Sequence, residues 1–506
     1  MRFWHIARSV LSNWFATVAT LAVGFFLQPF VVHHLGDLSY GIWVLTVSTI
    51  GYLVMLDLGM TNSLLRYISK GHAVQNHESS SDSLSAVLWV RLQISALILV
   101  LTAAIAIEFP RFFKVPPALG REAREAVLII GLATAITMTF GVFGATLSAL
   151  NRYDLRTYVT LAQLTIRMAG VIFVLRSGYG IVAIALCELV AACVGNVMLF
   201  YLSRAIYPEL TVRLVKPKWE VLRSIWSYSS YAFLLTIAVQ LVYQSDNMVV
   251  GAFISASAVT FYSIGNTLCR YTQQLVNSMT NIFCPVASTF EAAGNLSALR
   301  TLYINGTRAT LVLSLPIVTT LIIRGHTFIG LWMGAEYAAQ SGVVLAILAT
   351  ALLFSLQNLT AGSIALGVGK HKTVAWWAVG EGIANLTLSI VLVRRFGIRG
   401  VAIGTLLPSL VVQVIFWPRY VCQLTDVSFL EVYRSIWAPI FLCTLPFMIA
   451  TYLVDTMSAP RNVIIFILQT SALLPIFAVA VAFTFRDSVR RQLFPRVRSF
   501  LSAHAN

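Results

Sequence analysis

The chain has 506 residues, 58% of them hydrophobic and only 11% charged, with a mean hydropathy of +0.82. A soluble protein carries roughly 25% charged residues and a disordered one lacks this hydrophobicity, so both classes are excluded and an all-α polytopic membrane protein remains. The 35 Lys and Arg against 19 Asp and Glu give a net charge of +16. Without zinc-finger spacing or a basic-aromatic RNA module, this excess reads as basic loops on an anionic membrane face, and no nucleic-acid partner is expected.

A bilayer crossing takes about 20 apolar residues. About fourteen such helices are expected, at 10–33, 40–64, 86–107, 125–149, 157–175, 180–203, 226–251, 258–285, 305–324, 341–362, 373–393, 399–417, 437–456 and 462–485. Arg2 and Arg8 precede an apolar run from Trp14 to Val32. That run is too long for a signal peptide and has no small-residue cleavage site, so it reads as an uncleaved first span, kinked near Gln28-Pro29. With the N-terminus inside, cytoplasmic segments hold 22 Lys and Arg and outer loops 10. The inner set includes Arg213, Lys216, Lys218 and Arg223 in one loop and Arg486, Arg490, Arg491, Arg496 and Arg498 in the tail. The positive-inside rule then places both termini in the cytoplasm. No connection is much longer than about 20 residues, too short for a domain, so the work must be done among the helices. The six cysteines form no C-x-x-C pair and read as small apolar fillers.

An internal repeat is visible. VLRSGYGIVAIA (174–185) matches VRRFGIRGVAIG (393–404) at six of twelve positions, at an offset of 219. ATLSALNRYDL (145–155) lies over IALGVGKHKTV (364–374) at the same offset. Six spans per offset gives both halves one orientation, a parallel repeat. The chain is accordingly divided into a six-helix bundle at 1–215, a second at 216–420, and an extra helix pair with a basic tail at 421–506.

No phosphate-binding G-x-x-x-x-G-K-[ST], no H-E-x-x-H and no G-x-S-x-G occurs. His33-His34 sits at an outer helix end, where it reads as interfacial. No catalytic residue, metal set or cofactor is therefore expected.

Ionisable groups inside spans are costly and by default mark function. They are Asp57, Arg91, Arg167, Glu188, Asp246, Arg270 and Glu381. Each has a plainer reading. Arg91 could snorkel to the cytoplasmic face, and Asp57 and Glu381 could be solvated near a cytoplasmic end. Asp246 could pair with a neighbouring helix, and Glu188 could be the structural partner of Arg167 or Arg270. Two polar faces stand out. Gln240, Tyr243, Gln244 and Asn247 share one side of the span at 226–251. Asn266, Arg270, Gln273, Gln274, Asn277 and Asn281 form a stripe about 22 Å long on the span at 258–285. Helix glue uses one or two amides, so a stripe of six points to a hydrated cavity. Gln163 and Arg167 form a smaller pair.

The stretch LQPFVVHHLGDLSYGIWVLTVSTIGYLVMLDLGMTNSLLRYIS (27–69) resembles the first two helices of bacterial polysaccharide or oligosaccharide-lipid flippases. QSDNMVVGAFISASAVTFYSIGNTL (244–268), FIGLWMGAEYAAQSGVVLAILA (328–349) and FGIRGVAIGTLL (396–407) resemble later passages of the same family, part of the multidrug/oligosaccharidyl-lipid/polysaccharide exporter superfamily. The resemblance implies two six-helix bundles in a V plus a C-terminal pair, in the bacterial inner membrane. It implies alternating access that turns a polyprenyl-diphosphate-linked oligosaccharide from the cytoplasmic to the periplasmic leaflet for surface polysaccharide synthesis. Membrane lipids and polysaccharide assembly proteins are the implied partners. Under that reading Arg167, Arg270, Gln273, Gln274, Asn277, Arg91 and Asn266 meet substrate, because Arg binds phosphate bidentately and amides suit sugar hydroxyls. Asp57, Asp246, Glu381 and Glu188 couple an ion. The three span arginines against four acids depart from a strongly cationic cavity. A cation-coupled multidrug antiporter and a membrane glycan polymerase or ligase are the competing functions. The first would favour acidic and aromatic cavity groups, and the second needs a large outer loop.

Overall fold

The computed structural model describes residues 2–212, 233, 236–238, 240–242, 244–370 and 372–485. Tyr243, the basic loop from Arg213 to Arg223 and the arginines of the tail lie outside the described residues. Every regular element among the described residues is helical, so the chain is an all-α multi-pass membrane protein. Ten helical stretches among them are long and apolar enough to cross a membrane. Two of these, Trp14–Asp57 and Lys372–Thr425, are each interrupted by a glycine in the left-handed region, Gly36 (φ 74°) and Gly397 (φ 58°). The first break lies at Gly36, beyond the Gln28-Pro29 kink expected from proline chemistry; Pro29 sits inside the helix.

In chain order the helices are α1 (Arg2–Gly51), a 3-10 segment (Tyr52–Asp57), α2 (Met60–Ala73), α3 (His77–Phe112), α4 (Pro117–Ala149), α5 (Tyr153–Arg176) and α6 (Ile181–Ile206). After helical residues 244–253 come α7 (Ala256–Thr280), α8 (Phe283–Ala292), α9 (Leu296–Trp332), α10 (Ala335–Leu356), α11 (Leu359–Gly367) and α12 (Lys372–Val411). A π segment (Val412–Phe416) leads to α13 (Trp417–Thr425). The short α14 (Phe429–Val432), a second π segment (Tyr433–Trp437), α15 (Ala438–Met457) and α16 (Val463–Thr484) complete the described chain.

Two compact units result. One holds Met1–Ser263 and Lys372–Thr405, the other Ile264–His371 and Leu406–Asn506. In the first, α4 packs on α3 and α6, and the approach is close: a Cβ at Gly131 would stand 2.1 Å from Thr102. Small residues matter here because lipid is as apolar as leucine, so close packing rather than water exclusion joins membrane helices. In the second, α15 and α16 pack on α9 through Leu311, Leu315, Phe447, Leu473 and Phe477.

Helix ends in a membrane have little water to satisfy their last carbonyls. Six ends close with the same paired bonds. After α4, Asn151 N–H donates to the Ser148 carbonyl (3.0 Å) and Arg152 N–H to Leu147 (2.9 Å). After α5, Gly178 N–H donates to Leu175 (3.0 Å) and Tyr179 N–H to Val174 (3.0 Å). The ends of α2, α3, α8 and α11 repeat this through Gln75, Lys114, Gly294 and Gly369, all with positive φ.

Candidate functional site

The most enclosed acid is Asp246, 3% exposed on helical residues 244–253. Its Oδ2 accepts from the Tyr262 hydroxyl (2.6 Å) and from Thr405 Oγ1 (2.8 Å). Thr405 stands 3.3 Å from Asn385 Nδ2, and Ser389 Oγ donates to Asn385 Oδ1 (3.1 Å) and towards the Val401 carbonyl (3.3 Å). The other carboxylate oxygen, Oδ1, is buried with no hydrogen-bond partner among the described residues. One carboxylate among neutral oxygens, with one lone-pair face unused, can take up a proton or a hard monovalent cation. The side chains beside it play a different part. Asn247 Nδ2 donates to Ser48 Oγ (3.1 Å) and Gln240 Nε2 to the Gly51 carbonyl (2.8 Å), so these members of the polar face fasten the helix to α1.

Asp57 and Arg91 form a second enclosed cluster. The reading of 40–64 as one continuous helix is corrected. The α-helix stops at Gly51, Tyr52–Asp57 winds as 3-10, and Leu58 (φ 52°) and Gly59 (φ 75°) are both left-handed before α2 resumes. Arg91, 3% exposed, answers this break. Its Nη2 donates to Asp57 Oδ1 and to Thr61 Oγ1 (2.6 Å), and its Nη1 to the Met138 carbonyl (3.2 Å). Asp57 Oδ2 accepts from Thr61 Oγ1 (2.9 Å). Arg91 does not reach out of the span; it is spent on the acid.

Arg167 Nε lies 2.7 Å from Glu188 Oε1, joining α5 to α6, but its N–H is not aligned into a hydrogen bond, and the Arg167 side chain as a whole is 43% exposed. Arg270 differs. It is exposed, and among the described residues no carboxylate lies within ion-pair distance. Glu188 is held by Arg167, and Asp246 by two hydroxyls. Along the same face of α7, Gln274 and Asn281 are exposed and Asn266, Gln273 and Asn277 half-buried. Glu381, on α12, is half-buried.

Sequence reasoning missed a third cluster. Arg324 is 0% exposed in α9, although it was expected at an outer loop boundary. Its Nε donates to Asp455 Oδ1 (3.2 Å) and its Nη2 to Gln469 Oε1 (2.7 Å), while its guanidinium lies 4.6 Å from the Phe466 ring centroid. Thr327 also donates to Asp455 (3.0 Å). The neutral residues Asn385, Ser389 and Thr405 were missed too: they lie in two separate spans, at 373–393 and 399–417, and form no amide stripe of the kind seen at 258–285.

An all-helical fold with charges and amides enclosed among apolar helices defines a multi-pass membrane protein. The chain belongs to the polysaccharide biosynthesis protein family, whose model matches residues 70–342, more than half of its length. The uncharacterized membrane protein EpsK of Bacillus subtilis is 23% identical over 422 residues, covering 82% of this chain and 82% of its own. The "probable low-salt glycan biosynthesis flippase Agl15" of Haloferax volcanii is 20% identical over 425 residues, covering 84% and 85%. Among solved structures, the lipid II flippase MurJ in an inward closed conformation matches with a TM-score of 0.71 over 96% of this chain and 100% of that one. At 13% identity that match speaks for the fold.

Proposed function

We propose that the protein is a flippase that carries a polyprenyl-diphosphate-linked oligosaccharide from the cytoplasmic to the periplasmic leaflet of a bacterial inner membrane, by alternating access, for surface polysaccharide synthesis. The observation that carries this reading is Arg270: an exposed side chain with no acidic partner among the described residues, inside a stripe of amides on α7. A charge at membrane depth costs several kcal/mol unless water or a ligand compensates. A diphosphate matches it in charge and in bidentate geometry, and Asn266, Gln273, Gln274 and Asn277 offer donors and acceptors to sugar hydroxyls. Family membership and the name of the relative Agl15 support the same substrate class.

In this reading Asp246 exchanges the coupling ion, with Glu381 as a further acid. The Asp57–Arg91 and Glu188–Arg167 pairs hold helices, and the exposed edge of Arg167 assists the diphosphate. Both termini are cytoplasmic, residues 1–215 and 216–420 are duplicated six-helix units, and 421–506 is the added pair. Polysaccharide assembly proteins are the expected partners.

The test is genetic and chemical. Deleting the gene should accumulate one lipid-linked oligosaccharide in the cytoplasmic leaflet. Arg270→Ala should reproduce that accumulation at normal protein abundance, and Arg270→Lys should restore part of the flow because it keeps charge without the fork. Normal flow through a well-expressed Arg270→Ala protein would overturn the reading.

A further inference from the structure

A groove of about 390 Å³ opens on the α4–α6 face of the first unit, walled by Ile136, Phe140, Cys193, Val197, Phe200 and Tyr201. The one amide at its wall is Asn196, buried and occupied: its Nδ2 donates to the Ala192 carbonyl (2.8 Å) and to Thr137 Oγ1 (3.3 Å). The groove therefore offers a mainly apolar wall. Its volume is that of roughly a dozen water molecules, far too small for a helix about 10 Å across. A single extended alkyl chain is the object that fits.

Its depth and its mouth say what the chain is attached to. Phe140 lies nine residues before the end of α4, and Phe200 six before the end of α6. At 1.5 Å per residue these are about 14 Å and 9 Å, and Ile136 and Cys193, each thirteen residues from the same ends, lie at about 20 Å, so the groove runs inward from one face to near the bilayer midplane, measured from ends that the alternation of spans puts on the same side. At that end stands Arg204, its Cζ 6.0 Å from the Phe200 ring centroid. One Nη1 hydrogen is given to the Leu210 carbonyl (2.6 Å), and the guanidinium carries further N–H donors that a phosphate can use. An apolar slot of one chain's width beneath a cation complements a lipid with a negative head.

We infer that the α4–α6 groove is a binding site for an anionic glycerophospholipid, one acyl chain lying along Phe140, Cys193 and Val197 and the phosphate resting on Arg204. The site is separate from the Arg270 stripe and does not depend on the substrate proposed above.

Cys193 lines the slot and supplies the reporter. Full-length protein with the other five cysteines replaced by alanine is labelled with bimane at Cys193 and reconstituted in nanodiscs, with phosphatidylcholine as background. Brominated-acyl phosphatidylglycerol or brominated-acyl phosphatidylcholine is then titrated in. Quenching should favour the anionic lipid by about fivefold in apparent affinity, the scale of one surface cation acting on one lipid charge. Arg204→Gln should bring the two lipids level while both still quench, and Arg204→Lys should keep most of the preference. Val197→Trp, which fills the slot, should abolish quenching by either, with unchanged size-exclusion elution as the check on folding. Equal quenching by both lipids in the unsubstituted protein would mean only unselective boundary lipid and would overturn the inference. Absence of quenching would overturn it equally, and cross-linking of unlabelled Cys193 between two copies in a parallel sample would assign the face to self-association.

Discussion

Arg91 and Arg270 are the same residue type on two helices, α3 and α7, yet their surroundings predict opposite phenotypes. Arg91 is consumed by Asp57, Thr61 and the Met138 carbonyl, so Arg91→Ala leaves a half-buried carboxylate without its counter-charge. Breaking such a pair costs about 3–5 kcal/mol, and membrane abundance on immunoblots should fall steeply. Asp57→Ala in the same chain should recover most of it, because the pair then leaves together. Arg270→Ala removes a group with no acid to strand, and abundance should stay normal while substrate flow stops. At Asp246 the carboxylate accepts two hydroxyl bonds on Oδ2 and, among the described residues, none on Oδ1. Asp246→Asn keeps an oxygen for Tyr262 and Thr405 and loses the charge. The protein should fold, and transport in vesicles should lose its dependence on the proton or sodium gradient; a variant as steeply gradient-dependent as the parent would remove Asp246 from coupling. Of these three arginine and acid sites, sequence flagged every one, since charge inside an apolar run is visible. It could not tell paired from unpaired, because partners lie on other helices.

The 219-residue repeat, faint in the letters, is written more clearly in the backbone. Gly178 and Gly397 stand at that offset and both have left-handed φ, 79° and 58°. Gln75-Asn76 and Gly294-Asn295 stand at it as well. In each pair the first residue is left-handed, and the asparagine side chain caps the following helix, on Ser79 N–H (2.9 Å) and Ala298 N–H (3.0 Å). The helices that follow begin at His77 and Leu296, again 219 apart, as do Tyr153 and Lys372. Capping asparagine after a left-handed residue was a legible signal that apolar counting passed over. The break at Leu58-Gly59 was not legible, because the apolar run continues through it. Gly178 and Gly397 have nothing within 4 Å of where a Cβ would stand, so alanine there tests backbone cost alone. Each substitution should destabilise by about 1–2 kcal/mol, whereas Lys114→Gly, at the same left-handed position after α3, should stabilise by about 1 kcal/mol. Apparent melting temperatures in detergent, read for all three, should move in these opposite directions.

Across the whole chain, the 22-to-10 bias of basic residues predicts cytoplasmic termini. A C-terminal reporter should be active only when it needs the cytoplasm, and periplasmic activity would require an odd number of crossings. The second molecular-scale expectation concerns the added pair. Packing on α9 is apolar, and lipid competes with apolar contact on nearly equal terms. Arg324, bound to Asp455 and Gln469, is what distinguishes the docked pair from the same helices adrift in lipid. Asp455→Ala should cost about 3–5 kcal/mol and render α15 and α16 susceptible to proteolysis, while Arg324→Leu added to it should restore resistance. The cluster escaped sequence reading because Arg324 looks like an ordinary cation at a span end and its partner lies 131 residues on. That separation sets a clock on biogenesis. Ribosomes add about 5–20 residues per second, so the arginine emerges roughly 7 to 26 s before the carboxylate that neutralises it. Throughout that interval the nascent chain carries in α9 a cation whose carboxylate has not yet been made.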